Sequence, residues 1–166
     1  MPSNLHKELL KIIDEIINRI ATTNFYYISN SGDIKNFSGN HRKNSIHNFI
    51  QIGVKGDEKI CCPDCHYEIR VENNSEIYVM IHFEGKKYKS NRQLVDCLEN
   101  KCKLRKPSFI KTDEDWLWYY RDGSEIQIKD NLGEFRFNDD VAKDSVEELE
   151  KLHKVIGDNH VLLSIL

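Results

Sequence analysis

The sequence predicts an α+β fold: a mainly antiparallel sheet with N-terminal, central and C-terminal helices and a zinc-knuckle-like turn. Three observations predict it. Apolar residues recur at helical spacing in residues 4–21 and again in 141–156. Side chains alternate clearly in 67–72 and in 76–84, where Ile77, Val79, Ile81 and Phe83 fall on one face and Tyr78, Met80, His82 and Glu84 on the other. The links between these segments are short turn clusters, which join antiparallel neighbours, with no sign of the long crossovers a parallel sheet needs.

Each element follows from its own pattern. Leu5, Leu9, Ile12, Ile13, Ile16, Ile17 and Ile20 form one wide stripe with Lys and Glu between them, so residues 4–21 predict an amphipathic helix capped by Ser3 or Asn4. Residues 25–29 predict a strand, ended by the turn cluster Asn30-Ser31-Gly32-Asp33, and the polar stretch 35–45 reads as a loop. Strands are expected near 46–54 and 58–62, on either side of Lys55-Gly56-Asp57. Residues 67–72 and 76–84 predict a hairpin about the loop 73–75. Ser90 with Gln93 three residues on is a capping-box pattern, so a helix is expected to about Lys101, with Pro107 barring its continuation. From residue 115 the pattern is a three-stranded meander: Trp116 to Arg121, the hairpin dipeptide Asp122-Gly123, a return over 124–129, a second turn and a strand over 134–137. A helix over about 141–156 with Gly157 as its stop precedes an apolar tail that suits a closing strand. With 166 residues, no repeats and no linker, one α+β domain over 1–166 is the economical reading.

Composition narrows the function classes. Apolar residues make up 39% and charged residues 31%, enough for a core, and no apolar run approaches the roughly 18–20 residues that span a bilayer. The first residues lead into a charge-broken segment rather than a signal peptide's apolar core, so a cytoplasmic protein without structural disulfides and without a membrane is expected. The net charge of −3 conceals an asymmetry. Residues 1–110 carry 17 basic and 13 acidic side chains, and residues 111–166 carry 7 and 14. Within 86–106, Lys86, Lys87, Lys89, Arg92, Lys101, Lys103, Arg105 and Lys106 face only Asp96 and Glu99. Such a cluster suits either a solvated surface or a phosphate-binding one.

The one motif with chemical specificity is Ile60-Cys61-Cys62-Pro63-Asp64-Cys65-His66. A tight turn between strands sets the Cys62 and Cys65 thiolates on one side, at two corners of a Zn²⁺ tetrahedron. Residues 59–71 resemble the zinc knuckles of zinc-ribbon and rubredoxin-like proteins, whose pattern is often Cys-Pro-x-Cys-Gly; His66 stands here in place of the glycine. A structural zinc ion needs four ligands. Cys97 and Cys102 are the expected second pair, provided that their helix loosens near Asn100, which places a zinc-knuckle-like element near 59–105. Their competing reading is apolar packing, since Cys97 shares a helix face with Leu94 and Leu98. His82 and His66 are the alternative ligands: pairing in the hairpin returns His82 close to residues 66–67. A redox role for Cys62 and Cys65 is disfavoured, because a period-two strand pattern follows them instead of a helix N-terminus.

Trp116, Trp118 and Tyr120 fall on one strand face. They are either core beneath the terminal helices or, if exposed, anchors for a protein partner, with Asp113 and Asp115 steering it. Phosphate-loop, dinucleotide-turn, nucleophile-elbow and His-Glu-x-x-His motifs are missing from the sequence. The expectation is therefore a non-catalytic protein-binding accessory, of inhibitor or immunity type, with a structural zinc site. The alternative is nucleic-acid binding through Lys86, Lys87, Lys101, Lys103, Arg105 and Lys106. A third reading is a metal-dependent nuclease built on Asp113, Glu114 and Asp115 with Glu125 and Lys129; His41 and His47 offer a weaker acid–base pair.

Overall fold

A computed structural model of the chain describes residues 4–28, 48–60, 64–72, 75–109 and 115–165. The first helix, α1 (Asn4–Ile20), buries Leu9, Ile12, Ile13, Ile16 and Ile20 and leaves Lys11 and Asp14 outside, as its stripe requires. It ends where the Thr22 and Thr23 hydroxyls donate to the Arg19 and Ile20 carbonyls, offering the backbone an alternative to another helical turn. The last helix, α4 (Asn138–Asp158), packs along α1 and buries Val141, Ala142, Val146, Leu149, Leu152 and Ile156. Arg19 of α1 and Asp139 in the first turn of α4 close the pair with an ion pair at 3.1 Å.

The strands are β1 (Phe25–Ile28), β2 (Asn48–Val54), β3 (Cys65–Glu72), β4 (Glu76–Glu84), β5 (Leu104–Arg105), β6 (Trp116–Arg121) and β7 (Ile126–Gln127). Among the described residues they make one sheet in the order β1-β2-β3-β4-β6-β5, with β7 also on β4 and every pairing antiparallel. The hairpin read from the alternation forms in register, His66 opposite His82 and Glu68 opposite Met80. Because side chains alternate, Cys65, Tyr67, Ile69 and Val71 of β3 face the helices together with Ile77, Val79, Ile81 and Phe83 of β4. Tyr67 fixes this side, its hydroxyl 2.7 Å from His153 Nδ1 on α4.

Five local expectations differ from the structure. Residues 58–60 form a 3-10 turn rather than a strand: Gly56 turns the chain with a φ of 79°, and the Asp57 carboxylate accepts from the Lys59 amide. The central helix is split into α2 (Lys86–Lys89), α3 (Arg92–Asp96) and a wider π turn over Cys97–Lys101. Ser90 donates back to the Lys86 carbonyl, closing α2, and Asn91 takes the cap by accepting from the Leu94 amide. The meander does not form. The turn at Asp122-Gly123 is made, but β6 occupies only Met80–Glu84 of the longer β4, so β7 pairs with the free Glu76 and Ile77. Beyond it, Lys129 and Phe135 share a single bridge about a turn held by the Asp130 carboxylate. The C-terminal tail is a 3-10 turn, Val161–Ile165, tied to Asn91 and Lys59 through the Ser164 and Leu162 carbonyls, and Gly157 lies inside α4 instead of ending it. The predicted loop 35–45 lies outside the described residues.

Candidate functional site

Two groups of sequence-derived site residues separate onto opposite faces of the sheet. Cys65 points to the helices beside Phe83, its partner across the ladder. His66, the next residue, points the other way, as do His82 and Glu84 on β4 and Trp116, Trp118 and Tyr120 on β6. No described helix covers this second face. It is nevertheless chemically dense: His66, Glu68, Glu72 and His82 are buried there, beside Met80 and Trp118. Pairing of β4 with β6 sets Trp118 opposite His82, and the two rings stack with centroids 4.1 Å apart and planes 15° from parallel. His66 meets His82 edge-on at 5.0 Å, and Trp116 meets it from the other side at 5.6 Å.

Hydrogen bonds hold this row in place. Trp118 Nε1 donates to Glu68 Oε2 at 2.8 Å. Burial pushes the Glu68 carboxyl up to about 7, against the pull of Arg70 and of the Trp118 bond. His82 Nδ1 lies 2.9 Å from the Leu117 carbonyl oxygen. Burial takes the His82 imidazole down to about 3, although that carbonyl favours its charged form. The Glu84 carboxyl is raised, first by burial and then by the charge of Asp64. The His82 Nε2 to Glu84 Oε1 contact of 3.3 Å thus joins two groups each held toward its neutral form, and is not an ordinary ion pair. Farther along the face, Arg70 bonds Glu72 at 2.6 Å and lies over the rings of Phe49 and Phe109. Gly53 lets the Tyr26 ring lie close on this side: a Cβ there would come within 2.5 Å of the ring and the tyrosine would have to shift.

The other site residues are distributed as follows. Trp116, Trp118 and Tyr120 are not core beneath the terminal helices; Leu117 and Tyr119 take that place. Trp116 is 44% exposed, while Trp118 is buried under its neighbours. Cys62 and Asp113 lie outside the described residues, as do His41, His47 and Glu114. Cys97 and Cys102 are brought together, because the helix does loosen: in the π turn the Cys102 amide donates to the Cys97 carbonyl. Cys97 Sγ donates to the Asn159 carbonyl, and burial pushes the Cys102 thiol up to about 12. The described thiols Cys65, Cys97 and Cys102 do not gather into a three-ligand cluster; the one such group among the described residues is His66, His82 and Glu84. The sequence marks both histidines as candidate ligands but not Glu84. Its signal was the i, i+2 spacing from His82 on an alternating strand.

The basic segment is interleaved with acids. Lys87 pairs with Asp64, Arg105 with Asp122 and Lys106 with Glu99. Asp115 and Glu125, needed together by a nuclease site, stand at opposite ends of β6, whose six residues span about 17 Å at roughly 3.3 Å each. No helix of the described residues is long and apolar enough to cross a membrane. No protein family matches the chain, and neither a curated protein nor a solved structure is similar to it.

Proposed function

We propose that the protein is a non-catalytic accessory protein, of inhibitor or immunity type, that binds a protein partner through the helix-free face of its sheet. The observation that carries this reading is Trp116. A tryptophan 44% exposed on a rigid strand, backed by the buried Trp118 and His82 rings, has the composition and support of an interface anchor. Glu84 lies directly across the ladder from it and Asp115 precedes it. A partner with a basic patch around an apolar pocket suits that setting.

The test is affinity capture from the source organism with wild-type protein, Trp116→Ala, and a variant with Lys101, Lys103 and Lys106 changed to Glu. The reading expects a stoichiometric protein partner that is lost with Trp116→Ala and kept by the charge-reversed variant. Recovery of nucleic acid that is lost on charge reversal, or of no stoichiometric protein at all, would contradict it.

A further inference from the structure

We propose that His66, His82 and Glu84 bind one divalent transition-metal ion, of which Zn²⁺ is the type, at the end of the helix-free face where β3 begins and β4 finishes. This goes beyond the partner-binding reading and does not depend on it, because the isolated protein would retain the ion. The register of β3 on β4 sets His66 opposite His82, and Glu84, two residues along, shares their face. One ligand atom from each residue lies within 4.8 Å of the other two.

Hydrogen bonding settles which nitrogen of His82 is available. A backbone carbonyl can only accept, so the 2.9 Å contact to Leu117 O places the proton on Nδ1. In the neutral ring Nε2 then carries a lone pair, and it stands 3.3 Å from a Glu84 oxygen, a group that also offers lone pairs. Two such atoms side by side are bridged either by a shared proton or by a metal ion. A charge-assisted N–H···O⁻ bond would draw them to about 2.7–2.9 Å. Two ligands of a tetrahedral zinc with bonds of about 2.0–2.1 Å stand about 3.3 Å apart, which is the separation observed.

The surroundings do what outer-shell groups do. The Leu117 carbonyl fixes the tautomer of His82, and the stacked Trp118 ring fixes its plane. Two imidazoles and one carboxylate select a first-row transition ion over Mg²⁺ or Ca²⁺, which prefer oxygen. Three protein ligands leave the fourth tetrahedral corner to water or to an outside donor.

Titration of the chelator-treated full chain with Co²⁺ and Zn²⁺ tests the assignment. One equivalent should bind, the Co²⁺ form showing visible ligand-field bands without thiolate-to-metal charge transfer. Glu84→Gln, at a partly exposed position, should weaken binding by more than the roughly 10–100-fold typical of losing an outer-shell partner. His82→Gln should do the same, while Cys65→Ser and Cys97→Ser should leave binding intact. Circular dichroism and a melting curve on each variant separate ligand loss from unfolding. A folded protein that binds no equivalent, a thiolate signature removed by Cys65→Ser, or unchanged affinity in folded Glu84→Gln would overturn it.

Discussion

The two faces of the sheet solve opposite problems with the same strands. On the covered face, Tyr67, Ile69, Val71, Val79, Ile81 and Phe83 meet the Ile-rich stripe of α1 and the inner face of α4, and nearly every group is apolar. On the face that no described helix covers, the alternate residues include His66, Glu68, Arg70, His82, Glu84 and Trp118, which meet through polar and aromatic contacts. Apolar burial is non-directional and tolerates repacking; a buried row of histidine, carboxylate and indole tolerates little, because each member needs a partner of the right kind. The covered face is thus built by apolar burial, and the face that no described helix covers by paired polar and aromatic groups.

The sharpest way to break that contrast is to change one buried side chain on each side. Ile69→Ala on the covered face should cost about 2–5 kcal/mol, read from urea or guanidinium unfolding. A cost below about 1 kcal/mol would mean that the helices are not closing a tight core there. On the opposite face Trp118→Phe keeps a ring against His82 but removes the donor to Glu68. That should cost about 1–3 kcal/mol by leaving a buried acceptor without its bond. Adding Glu68→Leu, which removes the orphaned partner as well, should recover much of the loss; additive destabilisation would show that the bond is not the cause.

A pH titration probes the covered face through the half-buried His153. Burial holds His153 below its ordinary value of 6.5, so as pH falls the unfolded chain takes this proton before the folded chain does. Its contribution is complete above the unfolded value and is lost as pH drops toward the folded one. His153→Gln should flatten that acid-side loss, measured as the difference in unfolding free energy between neutral and mildly acidic pH; an unchanged slope would locate the sensitivity elsewhere. The smallest expected effect on stability is that of Trp116→Ala, about 0.5 kcal/mol or less. This residue is partly exposed and serves binding, so a large loss of stability would make it a structural residue and remove it from the interface.

What could be read in the sequence follows the same division. Periodicities spanning three or more turns, as in α1 and α4, and clear alternation, as in β3 and β4, reappear in place because one face of each is buried in the core. Short elements were misplaced where a single side chain competes with the backbone: the Asp57 carboxylate curls 58–60 into a turn, and Ser90 closes α2 instead of opening α3. The meander is not legible because strand length is readable and strand partner is not; nothing in Ile126 or Gln127 says that β4 runs four residues beyond β6 and offers two of them to β7. The same holds for the site. Cys62, Cys65, Cys97 and Cys102 stand out as residue types, whereas the proximity of His66, His82 and Glu84 exists only once the register is set.

X-ray absorption at the zinc edge, on protein loaded with one equivalent of Zn²⁺, tests most directly whether the chemistry lies on the helix-free face. The account predicts a first shell of nitrogen and oxygen only, at about 2.0–2.1 Å, with imidazole scattering beyond it. A shell of sulfur at about 2.3 Å would place the ion among the cysteines and contradict the assignment.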